Sequence, residues 1–547
     1  MKKRGGTPRN IWMVTREYGD LAGAGGVKDV TAQLSRAMAG WTGRRVHVVL
    51  PCYGFMAPEQ AGFEMLQDPG DAARRLEFEV DMHYAAEERR EHLRVWHARR
   101  GRVDVYLLDS LRFREKDDVY TYSLREERAD PLKRQGTGHH DYFAMNLLLQ
   151  KGTLQLIMHL NEPPDIIHCH DGHTAVLPAI IRETPWLHGF FRHTGCVVTV
   201  HNAGAGYHQD VEDLPYARAM TGLPWQTIIA GRLGGSFDPL VTAGLYATLN
   251  TVSENYAREL QYSTDDAQTG WLGHRLLEMG IELEGVTNGV DPEDYAPHRG
   301  KEIGLSAAYN PLDDDSSAAR QRCRDTLISM LASGEGLKRV RQYGFLEENG
   351  AGPLFTFIGR LSTQKGVDIL HDAVGQLAAA AGREFQLVVL GSGSSEMEEQ
   401  LMRLTAQDEC RGRVCFLAGF DPLLANRIYS AGDFFVVPSR YEPCGLTDFI
   451  AQLFGNLPIV HSVGGLIKVV DNETGFSYTG NTSEALVEAM KRAMSVFGDK
   501  VAMRAMQKHA IEVITEKYTW KVVKNHYLNL YKKAQEGIRT TGVTDEN

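Results

Sequence analysis

The sequence of 547 residues lacks the features that mark several large classes of protein. It contains no run of about 18 uncharged apolar residues, which a membrane-spanning helix requires. Its seven cysteines are an odd number and form no Cys-x-x-Cys pair, so neither a disulfide framework nor a cysteine zinc finger is expected. The apolar run after the basic N-terminus, residues 11–14, is too short for a signal peptide. We therefore expect a reduced, cytoplasmic protein without a membrane partner.

Positive charge is also scarce. The chain has 59 Lys and Arg against 70 Asp and Glu, a net charge of −11. Proteins that bind nucleic acid usually carry a basic stripe that releases counterions, and this balance indicates none. Hydrophobic residues make up 43% and charged residues 24%, as in globular proteins. At about 100–200 residues per domain, the length predicts two to four domains. The composition leaves the oligomeric state open.

Short apolar, β-branched runs alternate with helical patterns in two series, which predicts an α/β protein with two doubly wound, Rossmann-like domains. We expect an N-terminal domain over residues 1–296 and a C-terminal domain over 297–520, with a polar insertion at about 297–352. A last helix within 521–547 is expected to cross back to the first domain. The apolar runs lie at 11–14, 46–50, 103–108, 166–168, 197–200, 248–252, 354–358, 386–390, 414–417, 434–437 and 457–460.

A glycine-rich turn follows the first apolar run and reads Gly23-Ala24-Gly25-Gly26. It precedes a predicted helix, where the backbone N–H groups of Gly25 and Gly26 can approach a phosphate. The turn is not a Gly-x-Gly-x-x-Gly motif, so glycines kept only for packing remain an alternative. Asp29, in the first helical turn, contacts a ligand or only offsets the helix dipole.

Histidines gather where the next apolar runs end. His168-Cys169-His170-Asp171-Gly172-His173 follows one run, and His201-Asn202 follows another. Three close histidines suggest zinc, but no carboxylate-backed triad is evident, so we expect no metal. Polar residues at neighbouring strand ends favour one shared site that binds a ligand.

Two cations flank the end of the first run of the second series. Arg360 and Lys365 suit a diphosphate, because arginine binds oxygen pairs and lysine acts as a point charge. Lys365 also precedes a helix, where a cation is unfavourable without an anion. Surface solubility is the alternative explanation for both residues.

An acidic residue and a glycine turn follow a later run, in Glu442-Pro443-Cys444-Gly445-Leu446-Thr447. Glu442 is able to accept hydrogen bonds from sugar hydroxyls, and the amides from Gly445 onward are able to meet a phosphate. A carboxylate that only caps the next helix is the alternative.

In this order, these stretches resemble the bacterial glycogen synthases and plant starch synthases, which are retaining glucosyltransferases with the GT-B fold. The matching stretches include IWMVTREYGDLAGAGGVKDV at 11–30, PDIIHCHDGHTAVLPA at 164–179 and SRYEPCGLT at 439–447. The resemblance implies two domains that face a central cleft. It also implies glucosyl transfer from ADP-glucose to an α-1,4-glucan such as glycogen, with release of ADP and no cofactor or metal.

The resemblance also implies roles for single residues. Arg360 and Lys365 correspond to the pair that neutralises the leaving diphosphate, Glu442 to the carboxylate that holds the donor sugar, and His201 to the residue beside the reacting carbon. These four are the predicted catalytic residues. The predicted donor-binding residues are Gly25, Gly26, Cys444, Gly445, Leu446 and Thr447. The predicted residues of the sugar and acceptor side are Asp29, Asp171, His173, Asn202 and Asn288.

Several positions depart from the family pattern. Gly23 stands where the family has a lysine, and Lys28 appears five residues later. Gly172 replaces a tryptophan, and Lys468 replaces an aspartate. These changes keep open a related GT-B enzyme that uses UDP-glucose or another acceptor. A non-catalytic glucan-binding protein is the third hypothesis, which the retained Arg360, Lys365, Glu442 and His201 disfavour.

Overall fold

The computed structural model describes residues 7–41, 43–380 and 384–541 and divides them into two compact units. Unit 1 extends to Gly289 and resumes at Trp520, and unit 2 is Val290–Thr519. The first boundary therefore precedes the expected position at 296/297. The N–H group of Val290 donates to the carbonyl of Tyr518 at 2.8 Å, so the chain enters and leaves unit 2 side by side.

Unit 1 contains, within the described residues, a ten-stranded sheet around Asn10–Val14. This strand is buried throughout and pairs in parallel with Arg45–Pro51 on one side and Ile166–His170 on the other. Apolar side chains on both of its faces explain why helices cover it on both sides. The other parallel strands are Val103–Asp109, Gly195–Val200, Thr248–Thr251 and Glu284–Gly285.

An antiparallel extension of this sheet was not predicted. Arg90–Arg100 pairs with Val103–Asp109, with Glu77–Asp81 and with Glu64–Met65. The helices of unit 1 are Val27–Ala39, Leu111–Arg114, Leu124–Ala129, Tyr142–His159, Leu177–Glu183, Pro185–Phe191, Leu214–Thr221, Trp225–Ala230, Pro239–Gly244, Glu254–Tyr262, Leu272–Glu278 and Trp520–Thr541. The last helix buries Trp520, Tyr527 and Tyr531 in unit 1.

Unit 2 has a seven-stranded sheet in the described residues. The strands, in spatial order, are Val340–Gly344, Val414–Gly419, Gln386–Gly391, Leu354–Ile358, Phe434–Val437, Leu457–His461 and Phe476–Tyr478. All neighbours are parallel except the first pair. The helices are Ser316–Ser333, Val367–Ala379, Ser395–Thr405, Pro422–Ala431, Thr447–Leu453, Ser483–Gly498 and Lys500–Val513. The expected insertion thus supplies an edge strand and a packed helix.

In each sheet the order of the strands reverses direction at the centre, so that two neighbouring central strands connect to opposite sides of the sheet. This switch point lies between Asn10–Val14 and Ile166–His170 in unit 1, and between Leu354–Ile358 and Phe434–Val437 in unit 2. Open α/β sheets bind ligands beyond the carboxyl ends of the strands at such a point. The predicted class, α/β with two doubly wound Rossmann-like sheets, is confirmed. Among the described residues, no helix is long and apolar enough to cross a membrane.

Candidate functional site

Glu17, which sequence reasoning missed, organises the glycine turn of unit 1. Its side chain is buried, and one carboxylate oxygen accepts the N–H groups of Ala24 at 2.8 Å and Gly25 at 3.1 Å. The other oxygen accepts the Tyr120 hydroxyl at 2.7 Å. The Gly25 amide, predicted to face a phosphate, therefore already has an internal partner, the side chain of Glu17. Gly26 directly precedes the helix Val27–Ala39.

Lys28 fills the space beside Gly23. A Cβ atom on Gly23 would lie 2.3 Å from Cδ of Lys28, so a side chain at residue 23 and this lysine conformation exclude each other. The Lys28 ammonium bonds the Asp29 carboxylate at 2.7 Å, and both side chains are about a third exposed. Lys28 thus supplies an ammonium group beside the turn although the family lysine at residue 23 is absent. The Asp29 carboxylate is the partner of this ammonium group.

Asp171 lies beyond the strand Ile166–His170 and connects it to the neighbouring strand end. Its carboxylate accepts the backbone N–H groups of His201 at 2.6 Å and Asn202 at 3.4 Å. Burial raises the pKa of Asp171 to about 7, against the lowering effect of these two N–H groups. Its φ angle of 60° is rare for a residue with a side chain and marks a constrained turn.

The histidines form a buried chain behind this turn. Nδ1 of His170 lies 2.9 Å from Nε2 of His201, and the two rings stack. His168 reaches the Tyr531 hydroxyl on the last helix at 3.0 Å and the Thr199 hydroxyl at 2.7 Å. Burial lowers the pKa of His201 to about 3, so its imidazole is neutral at pH 7. The described residues contain no group of side chains with a metal-binding arrangement.

The other predicted residues of unit 1 lie around this chain. The His173 ring is buried against the Tyr120 ring at 5.0 Å. Asn288 accepts the Tyr527 hydroxyl at 3.4 Å, which places it under the last helix. The structure explains why residue 172 is a glycine where the family pattern has a tryptophan: a Cβ atom there would lie 2.3 Å from the carbonyl oxygen of His208. The backbone of this chain leaves no room for a tryptophan at residue 172.

Lys365 and Glu442 meet in unit 2. Nζ of Lys365 bonds a carboxylate oxygen of Glu442 at 2.5 Å, and the Ser439 hydroxyl donates to the same oxygen at 2.9 Å. Burial alone would raise the pKa of Glu442, but the Lys365 charge and these hydrogen bonds hold it below its ordinary value. The Glu442 side chain is 11% exposed and the Lys365 side chain 21%, so the contact is largely shielded from solvent. Arg360 is exposed at the end of the central strand.

The turn after Glu442 is held by Lys468, a second residue whose role sequence reasoning missed. Its ammonium donates to the carbonyls of Cys444 at 2.5 Å, Gly445 at 2.8 Å and Gly465 at 3.1 Å, and it pairs with Asp448 at 3.1 Å. Burial raises the pKa of Asp448 to about 6, although Lys468 counteracts it. Leu446 precedes the helix that begins at Thr447.

Comparison with known proteins assigns the family. The model of the starch synthase catalytic domain matches residues 10–282, and that of group 1 glycosyl transferases matches residues 352–495. A glycogen synthase from Geotalea daltonii is 30% identical over 95% of this chain and 98% of the relative. This chain belongs to the glycogen synthase and starch synthase family. It is therefore a glycosyltransferase.

Other relatives in the family are similar over most of this chain. Glycogen synthase 2 from Geobacter sulfurreducens is 29% identical over 97% of this chain and 99% of the relative. The soluble starch synthase 2-1 of Oryza sativa subsp. japonica is 28% identical over 92% of this chain and 62% of the relative.

Solved structures confirm the GT-B fold. The catalytic domain of starch synthase IV from Arabidopsis thaliana, bound to ADP and acarbose, has a TM-score of 0.76 at 23% identity. The alignment covers 97% of this chain and all of that one. A sucrose-phosphate synthase from Thermosynechococcus elongatus shares the fold with a TM-score of 0.55 at 16% identity. That alignment covers 97% of this chain and all of the sucrose-phosphate synthase chain.

Proposed function

We propose that this glycosyltransferase extends an α-1,4-glucan such as glycogen with glucose from ADP-glucose and releases ADP. The observation that carries the proposal is the Lys365–Glu442 pair at the switch point of unit 2. A buried carboxylate held ionised beside an ammonium offers one acceptor for sugar hydroxyls and one cation for a phosphate. The names of the relatives support the glucan as acceptor, and the ADP of the starch synthase structure supports the donor.

In the proposed reaction, unit 2 binds the donor. Lys365 and Arg360 neutralise the charge that develops on the leaving diphosphate, which lowers the barrier because these groups are positioned beforehand. Glu442 holds the sugar, and the turn Cys444–Thr447 meets the distal phosphate. When Lys365 binds a phosphate, it gives up part of its contact with Glu442, whose carboxylate then accepts sugar hydroxyls instead.

Unit 1 is proposed to supply His201 beside the reacting carbon and to bind the glucan through the residues around Asp171. Because the His201 imidazole is neutral at pH 7, it acts as a hydrogen-bonding group rather than as a fixed cation. Asp171, His173 and Asn202 are buried polar residues that follow two neighbouring strands of this sheet. The seven cysteines are free and buried, which fits the proposed reducing, cytoplasmic location.

A panel of nucleotide sugars tests the proposal. The purified full chain is given glycogen with ADP-glucose, UDP-glucose or GDP-glucose, and the released nucleoside diphosphate is measured. We expect turnover with ADP-glucose and at least a tenfold preference for it, and none above background for Glu442→Ala. A preference for UDP-glucose would refute ADP-glucose as the donor. UDP-glucose is the alternative that Gly23, in place of the family lysine, leaves open. Activity retained in Glu442→Ala would refute the site.

A further inference from the structure

Lys468 is a buried lysine inside the turn proposed to meet the donor phosphate. Its side chain is 5% exposed, although lysine is rarely buried without compensation. The ammonium has three N–H groups and lies within hydrogen-bond distance of three carbonyls and the Asp448 carboxylate. A residue so fully bonded fixes the segments that it joins.

The bonds of Lys468 determine the direction of the neighbouring amides. A trans peptide is planar, so its C=O and N–H groups point to opposite sides. The carbonyls of Cys444 and Gly445 point at Nζ, and the N–H groups of Gly445 and Leu446 in the same two peptides therefore point away from it. Gly445 has a φ of +73°, and a Cβ atom there would lie 2.6 Å from Leu466.

Two glycine turns are locked together at this point. A Cβ atom on Gly464 would lie 2.0 Å from the carbonyl oxygen of Glu442, and one on Gly465 would lie 2.2 Å from that of Cys444. The Lys468 ammonium bonds both turns, through Cys444 and Gly445 on one side and Gly465 on the other. The position of Glu442 is thereby coupled to the peptides that follow it.

We propose that Lys468 is a positioning residue for the donor diphosphate: by gathering the carbonyls of Cys444 and Gly445, it turns the N–H groups of Gly445 and Leu446 toward the phosphate. The inference rests on the proposed function of unit 2. Lys468 replaces an acidic residue of the family pattern, so it pairs with Asp448 and adds a positive charge behind Glu442. Unit 2 thus carries a buried cation at a position where the family pattern has an acidic residue.

The test compares Lys468→Met with the double variant Asp448→Asn/Lys468→Met. The double variant removes the buried carboxylate that the single change would leave unpaired. Calorimetric titration of the full-length proteins with ADP and with UDP gives the dissociation constants. Glycogen affinity and the unfolding midpoint are measured on the same samples. Lys508→Met, a substitution of a partly exposed lysine that pairs with Asp314 in unit 2, is the matched control.

We expect both Lys468 variants to bind the preferred diphosphate at least tenfold more weakly, while glycogen affinity stays within twofold and Lys508→Met binds like the wild type. Wild-type affinity in the double variant would overturn the inference, because Lys468 would then only neutralise Asp448. If the wild type binds neither ADP nor UDP, the proposed function fails and the inference fails with it. Loss of glycogen affinity in step with diphosphate affinity would also overturn it.

Discussion

Removal of Lys365 tests whether it and Glu442 form one coupled pair. In Lys365→Met the Glu442 carboxylate stays buried and keeps the hydrogen bond from the Ser439 hydroxyl at 2.9 Å, with the charge of Lys468 nearby. Breaking a buried ion pair costs about 3–5 kcal/mol, and because the Lys365 side chain is 21% exposed we expect the lower end, about 3 kcal/mol. For a unit of about 200 residues this corresponds to a fall of roughly 6–12 °C in the unfolding midpoint.

Glu442→Gln is expected to cost less, because the Lys365 ammonium is able to turn toward water. The double variant should be more stable than Lys365→Met, since it leaves no unpaired buried charge. The two changes together then cost less than the sum of the single ones, by about 1–3 kcal/mol. Additive effects, or a midpoint that falls by less than about 2 °C in Lys365→Met, would refute the coupled pair.

The distribution of tryptophan supplies an internal control. The seven tryptophans are residues 12, 41, 96, 186, 225, 271 and 520, all of which belong to unit 1. Tryptophan fluorescence therefore follows unit 1, whereas circular dichroism and calorimetry follow both units. Lys365→Met should lower a transition seen by calorimetry and leave the fluorescence transition in place. An equal shift in both signals would contradict a local effect in unit 2.

Three further predictions concern unit 1. Because burial raises the pKa of Asp171 to about 7 from 3.8, the folded state holds this proton more tightly, and the stability of unit 1 should fall as pH rises from about 4 to 7. Asp171→Asn should remove this fall. Equal pH slopes for the wild type and Asp171→Asn in melts followed by tryptophan fluorescence would contradict the prediction. Gly172→Ala should lower the free energy of unfolding by about 1–3 kcal/mol, because the new Cβ meets the His208 carbonyl. Gly189→Ala, where the new Cβ has open space, should cause no such loss, and equal losses in both variants would refute the steric argument. Lys28→Met should raise the KM for ADP-glucose several-fold with kcat unchanged if Lys28 serves the donor, and an unchanged KM would exclude that role.

The parallel strands are predictable from the sequence because they are buried on both faces and read as unbroken apolar runs. Leu354–Ile358 lies where the run was predicted, and Ile166–His170 extends two residues beyond its run. The antiparallel strand Arg90–Arg100 escaped prediction because charged residues alternate with apolar ones along much of it and its ends are exposed. Strand pairing, rather than local composition, defines this edge of the sheet.

The strand-end positions of Asp171 and His201 were predictable because each residue follows its strand directly, whereas Glu442 lies five residues beyond the end of Phe434–Val437. Glu17 was missed because its role depends on Tyr120, about a hundred residues away, and on a turn whose conformation the sequence does not reveal. Lys468 was visible as a departure from the family pattern, but its role depends on carbonyls of a separate segment. Long-range hydrogen bonds of this kind leave no periodic signal in a single sequence.

The balance of glucose and nucleotide in one reaction tests directly whether this chain transfers glucose from ADP-glucose to glycogen. Purified wild-type chain is incubated with glycogen and ADP-glucose, ADP is quantified, and the linkage of the glucose added to the polymer is read by proton NMR. We expect one ADP for each glucose added, an α-1,4 linkage at the new chain ends, and neither product with Glu442→Ala. ADP release without glucan growth, or a β linkage in the product, would contradict the proposed function.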